Sequence, residues 1–274
     1  MAHVRRAVLR DWFGPVLRLY FVGDVHVGSR SCHEDKAREL AQIIAGDTFG
    51  LAVGLGDYIE SIAFTDRRFD PSELAQPISP EHLSNPFYQQ ALRFAKIFEA
   101  TRGKWLCLVA GNHEERAAHY FHFDPLPIIA ERLGAVYHGD SDCGGWARVR
   151  MLDAPGGNMR NSIDLFLTHG SGGGELRGGD ALRLQRMLLR KQADIVAMGH
   201  GHKATLFPES SELIDPMGYE KSVTRFGIEA YPLVGKHGYL ARKGANDPPT
   251  GYVVAQITTN SHGHARISIS MNEL

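Results

Sequence analysis

Five short apolar runs in this chain stop at the same kind of place. "VLRLYFVGDVH" ends at Asp24 and His26, and "GLAVGLGD" ends at Asp57. "KWLCLVAGNHE" ends at Asn112 and His113, "IDLFLTHG" at His169, and "ADIVAMGHGH" at His200 and His202. Helical patterns separate several of these runs: "HEDKARELAQIIAG", "NPFYQQALRFAKIFEATRG" and "GDALRLQRMLLRKQ". Strands alternating with helices predict an α/β core whose central strands are mostly parallel. Such a sheet gathers the carboxyl ends of its strands along one edge, where ligands collect. Few other arrangements would bring these eight polar residues into one region.

The rest of the chain fits around that core. Proline near the start and glycine past the end bound the "NPFYQQALRFAKIFEATRG" helix. A helix from Glu115 to Leu133 is expected to break at Pro125 and Pro127. Asp180 is read as the cap of the helix that follows the glycine-rich "SGGG", with Arg183, Arg186 and Arg190 on a solvated face. The tail is β-rich ("ATLFPES", "SVTRFGIEAYPL", "TGYVVAQITT", "HARISISM"), which predicts a second sheet packed on the first. Nothing marks a linker, so residues 1–274 are expected to form one domain. Two longer polar stretches, 59–86 and 236–251, read as insertions that shape a pocket.

Composition narrows the function classes. Thirty basic and 31 acidic residues leave a formal charge of -1, so no basic excess points to nucleic acid. No aromatic-basic interleaving marks a single-strand groove. Three cysteines, Cys32, Cys107 and Cys143, are odd in number and form no CxxC, which excludes a disulfide scaffold or a zinc knuckle. No apolar run approaches eighteen residues, so no spanning helix is expected. The amino-terminal stretch lacks the apolar core of a signal peptide, and a cytoplasmic location is the expectation.

Taken singly, each strand ending has a plain reading. A Gly-Asp after a strand is a common turn, Asn-His before a helix is a common left-handed turn, and one HxH proves little. Together they supply two carboxylates, an amide and five imidazoles, more than a single tetrahedral zinc needs. The set suits two divalent ions sharing a carboxylate and clamping a phosphoryl group. Glycines beside nearly all of these residues allow their loops to approach closely.

The order of the blocks resembles the calcineurin-like metallophosphoesterases: "DVH" at Asp24, "GD" at Gly56, "GNHE" at Gly111, "TH" at Thr168 and "GHGH" at Gly199. The resemblance spans roughly Leu17 to Lys203 and implies a four-layer α/β/β/α sandwich of two mixed sheets. It implies that Asp24, His26 and His202 hold one metal, that Asn112, His169 and His200 hold a second, and that Asp57 bridges both. His113 resembles the family's catalytic histidine near the leaving-group oxygen. The implied chemistry is phosphoester hydrolysis by a hydroxide held between two ions, with Asp57 and His113 the catalytic residues. Manganese is the expected ion; iron, zinc and nickel are the others such enzymes use. The expected substrate is a small or nucleotide-like phosphodiester. A DNA-processing phosphoesterase of bacterial or phage type, acting on nucleic acid, is the alternative, and an idle metal-binding scaffold is the non-enzymatic one.

Weaker signals surround this set. Arg116, with Asn112, is a candidate contact for substrate phosphate, since a guanidinium matches phosphoryl oxygens; the plainer reading is a solvated helix residue. His119 and His122 read as surface residues. "HGSGGGE" lacks the lysine of a nucleotide-binding loop. His262 and His264 form a second HxH in a hairpin turn with no accompanying carboxylate. The sequence leaves open whether Asp57 or Glu114 orients His113.

Overall fold

The computed structural model describes residues 7–62, 74–75, 84–138, 144–172, 176–214, 217–235, 247–259 and 265–274. Most of the two expected insertions lies outside these residues, as do Cys143, His262 and His264. The described strands are β1 (Val8–Trp12), β2 (Val16–Val22), β3 (Gly50–Gly54), β4 (Trp105–Val109), β5 (Tyr137–His138), β6 (Gly145–Leu152), β7 (Met159–Leu167), β8 (Ile195–Met198), β9 (Thr205–Ile214), β10 (Glu220–Glu229), β11 (Gly251–Thr259) and β12 (Ala265–Glu273). The helices are α1 (Glu34–Gly46), α2 (Pro86–Ile97), α3 (Asn112–Phe121), α4 (Leu126–Leu133) and α5 (Arg177–Arg190).

Two six-stranded sheets result, ordered β12-β11-β2-β3-β4-β5 and β1-β6-β7-β8-β10-β9. β2, β3, β4 and β5 run parallel, as do β7, β8 and β10, so the expected parallel centre is present in both sheets. Side chains alternate across each strand and sort into layers. Leu17, Leu19 and Phe21 of β2 meet Leu165, Ile195 and Ala197 of the other sheet in a shared inner core. Tyr20 and Val22 point the other way, into a core with Leu40 and Ile44 of α1, Phe94 of α2 and Ile129 of α4. Val196 and Met198 of β8 pack with Leu184 and Leu188 of α5 on the far side. The layers are therefore α/β/β/α, and strands covered on both faces explain the unbroken apolar runs.

Local chemistry sets the helix boundaries. The Asn85 side chain accepts the Tyr88 N–H and Pro86 begins α2. α3 ends at Phe121, capped by His122 in the left-handed conformation, and α4 begins after Pro125, so the prolines separate two helices as the sequence predicts. Two expectations are corrected. The β-rich tail does not form the second sheet by itself: β11 and β12 join the first sheet antiparallel to β2, while β1, β6 and β7 enter the second. Asp180 does not cap α5, which starts three residues earlier; it lies buried in the first turn, bonded to Arg183 and Lys203. Among the described residues no helix is long and apolar enough to cross a membrane.

Candidate metal centre

β2, β3 and β4 of one sheet and β7 and β8 of the other end at a common edge, and their loops interlock. The Asp24–Val27 backbone lies along the Gly56–Tyr58 loop, with Val25 and His26 both donating to the Asp57 carbonyl at 2.9 and 3.0 Å. The His113 N–H donates to Asp57 Oδ1 at 3.0 Å. From the other sheet, the His200 N–H donates to Asp24 Oδ2 at 2.9 Å. A Cβ on Gly111 would overlap the Asp57 carboxylate, and one on Gly199 would lie 2.6 Å from Asp24 Oδ2, so glycine at these two positions permits the approach.

The backbone is bent sharply here. Asp24, His26, Asp57, His200 and His202 all have positive φ, between 50° and 71°, which non-glycine residues rarely adopt. Such conformations persist only where the surroundings enforce them, and they concentrate at functional sites.

The eight residues at the strand ends form one cluster. Asp24, His26 and His202 place one donor atom each within 4.8 Å of one another, and so do Asp57, His169 and His200. Asp57 Oδ2 stands 3.1 Å from His169 Nε2 and 3.6 Å from His26 Nε2, between the two groups. Asn112 Oδ1 is 3.0 Å from His169 Nε2 and 2.9 Å from His200 Nδ1, which adds it to the second group. His202 Nε2 is 3.1 Å from Asp24 Oδ1. Asp24, Asp57 and His169 form a buried floor, while Asn112 is exposed and His200 and His202 are half-buried, so the cluster opens on their side.

The rings are anchored in a way that suits a cation. His26 Nδ1 is 3.0 Å from Glu60 Oε2, and His169 Nδ1 is 2.8 Å from the Leu55 carbonyl. Each ring therefore gives one nitrogen to a fixed acceptor and turns the other toward the carboxylates. His26 Nε2 is buried and has no hydrogen-bond partner. An orphaned imidazole nitrogen beside two buried carboxylates fits a divalent cation. The mixture of imidazole, carboxylate and amide oxygen suits manganese, iron, zinc or nickel.

Charge follows the geometry. Burial pushes the Asp57 carboxyl up, but His169 and His113 outweigh it and hold Asp57 well below the usual carboxylate range. Asp24 is lowered too, with His202 outweighing its burial. Burial works against charge on His26 and His169, yet Glu60 lifts His26 to about 9 and Asp57 lifts His169 to about 10. Burial lowers His113, and burial with His169 lowers His200.

Glu60 has no place in the sequence expectation, yet it joins His26 and His113 in a third group of donors. Its signal was the "GDYIE" that follows β3. Glu114 does not orient His113: its carboxylate accepts the Asp57, Ile59 and Gly111 N–H groups at 2.8, 3.0 and 2.8 Å and ties two loops together. His113 Nδ1 contacts the Glu60 carbonyl instead, and its Nε2 is 4.0 Å from Asp57 Oδ2. Arg116 sits one turn along α3, with its guanidinium carbon 5.8 Å from the Tyr120 ring centre. His119 and His122 are exposed.

The sequence profile described as calcineurin-like phosphoesterase (Metallophos) matches residues 17–204. The chain belongs to the calcineurin-like phosphoesterase family. Within that family, its two donor groups are a candidate dinuclear metal centre. No curated protein matches the sequence. Among solved structures, a predicted phosphoesterase from Streptococcus pneumoniae is similar at 12% identity and a TM-score of 0.37, covering 94% of this chain and 92% of that one. Vps29 from Chaetomium thermophilum is similar at 11% identity and a TM-score of 0.38, covering 94% and 96%. At these scores the two structures add nothing to the assignment.

Proposed function

We propose that this calcineurin-like phosphoesterase is a two-metal phosphoester hydrolase that favours small or nucleotide-like phosphodiesters. The observation that carries the reading is the position of Asp57 Oδ2 between two groups of donors, 3.1 Å from one and 3.6 Å from the other. Asp24, His26 and His202 would hold one ion, Asn112, His169 and His200 the second, and Asp57 both. When bound, the ions supply a water activated near neutral pH and positive charge for the phosphoryl oxygens.

The chain's own residues divide the remaining work. Asp57, a carboxylate with two oxygens, holds the two donor groups in register and positions the His113 backbone. His113 gives its Nδ1 to the Glu60 carbonyl, which leaves Nε2 as the atom that moves a proton to or from the leaving group. The eight residues and Glu60 include no lysine or arginine. Beyond the ions, no cationic side chain of this set pairs with the second charge of a dianionic monoester, which supports the diester preference.

The test strips the protein with a chelator, restores manganese, and compares bis-p-nitrophenyl phosphate, p-nitrophenyl phosphate, cyclic nucleotides and single-stranded DNA. Metal-dependent turnover with the diester ahead of the monoester is expected. Faster cleavage of single-stranded DNA than of any small diester would move the assignment to DNA processing. No turnover with manganese, iron, zinc or nickel would leave a metal-binding scaffold. Asp57→Asn should lose bound metal, by elemental analysis, along with activity; full occupancy in that variant would remove the bridging role.

A further inference from the structure

The turn that carries His200 and His202 is held by side chains outside the donor set. Glu229 is the last residue of β10, paired with Met198 at the end of β8 and with Thr205 at the start of β9. Its carboxylate lies against Gly201, where a Cβ would overlap Oε1 and would stand 3.2 Å from Asp180 Cγ. Lys203, the residue after His202, donates from Nζ to Asp180 Oδ2 at 2.5 Å, and Arg183 donates to Asp180 Oδ1 at 2.6 Å. Asp180 and Glu229 are both fully buried. The Thr205 hydroxyl lies beside the Glu229 carboxylate.

A carboxylate buried this completely asks for an explanation. Glu229 fills the space under Gly201, and its Oε1 lies 3.4 Å from the Lys203 N–H. The turn it touches is bent, with φ of 71°, 57° and 47° at His200, His202 and Ala204. A backbone so far from its preferred conformations relaxes unless it is gripped on both sides of the bend. Asp24 grips it at the His200 N–H. Asp180 grips it at Lys203, and Glu229 lies beneath the glycine between the two histidines.

We infer that Asp180, Lys203 and Glu229 are positioning residues that set the placement of His200 and His202. Their action reaches both metals at once, because His202 belongs with Asp24 and His26 and His200 belongs with Asp57 and His169. The inference rests on the metal reading proposed above.

The experiment titrates chelator-stripped protein with cobalt(II), following the visible absorption of the bound ion and the stoichiometry. Metal-free thermal unfolding is recorded for every variant. The wild-type chain should take up two ions. Lys203→Met and Glu229→Gln should weaken both binding steps by about 10–100-fold, the range found when groups that orient metal ligands are lost. Both should alter the cobalt spectrum, and Lys203→Arg should recover most of the lost affinity. Should Lys203→Met fail to fold, Asp180→Asn/Lys203→Met removes both charges together and serves in its place. Failure of wild-type protein to bind cobalt overturns the metal reading. Two-ion binding by the wild type, with affinities and spectra unchanged in the variants, overturns the positioning role alone.

Discussion

His113 and Glu60 show how one residue's role depends on which of its atoms is committed. His113 Nδ1 is bound to a carbonyl, so Nε2 is the only ring position open to chemistry. His113→Ala should keep both metals and lose about 10²–10⁴-fold in rate on diesters with poor leaving groups. The loss should be much smaller on nitrophenyl esters, whose leaving oxygen needs no proton. Equal losses on both would count against proton transfer. That the eight strand-end residues would gather in one place was legible in the sequence because each closes an apolar run, and a strand's end is fixed once the strand is recognised. Glu60 was not, because its direction depends on the path the chain takes after the left-handed bend at Asp57. Asp180, Lys203 and Glu229 meet only through tertiary packing, and no local pattern announces such a meeting.

At the level of elements, the ends of α1 illustrate how distant residues complete local structure. No basic residue lies in its last turn. Lys104, just before β4, donates instead to the carbonyls of Ile44, Ala45 and Asp47 at 2.9, 3.0 and 2.7 Å. The first two are carbonyls a helix leaves unsatisfied at its end. Lys104→Met should destabilise the protein by about 1–3 kcal/mol, measured by denaturant unfolding. Asp47 at the same end accepts from Arg18, Tyr20 and the Phe49 N–H at 2.6, 2.7 and 2.9 Å. Burial pushes its carboxyl up, but Tyr20, Phe49 and Arg18 together hold it below the usual value. Stability from a depressed carboxyl is present above the unfolded value, about 3.9, and disappears as pH falls through the folded one. Asp47→Asn should therefore lower stability at neutral pH and flatten the acid limb of the pH–stability curve; an unchanged limb would refute this.

For the whole molecule, the two parallel centres were readable from runs that are apolar on both faces, but the partners of the tail strands were not. "TGYVVAQITT" carries a pattern compatible with either sheet, and its place beside β2 follows from strand pairing rather than composition. The inner core between the sheets is the feature on which the site depends, since each of the two donor groups draws residues from both sheets. Leu165→Ala, at a fully buried inner position, should cost about 2–5 kcal/mol. Saturating metal should restore part of that loss, about 2.7 kcal/mol at a hundred times the dissociation constant. A thermal-shift series with and without manganese checks both.

The two triads proposed to hold the ions each close with a residue of the GHGH turn, His202 in one and His200 in the other. During synthesis, β2, β3 and β4 leave the ribosome with Asp24, His26 and Asp57 in place long before either histidine exists. No nascent chain that stops short of His200 can complete either of these two triads, so filling of the proposed centre would be a late event in the life of the chain. A cation would then arrive after most of the chain is made, on the side where Asn112 is exposed.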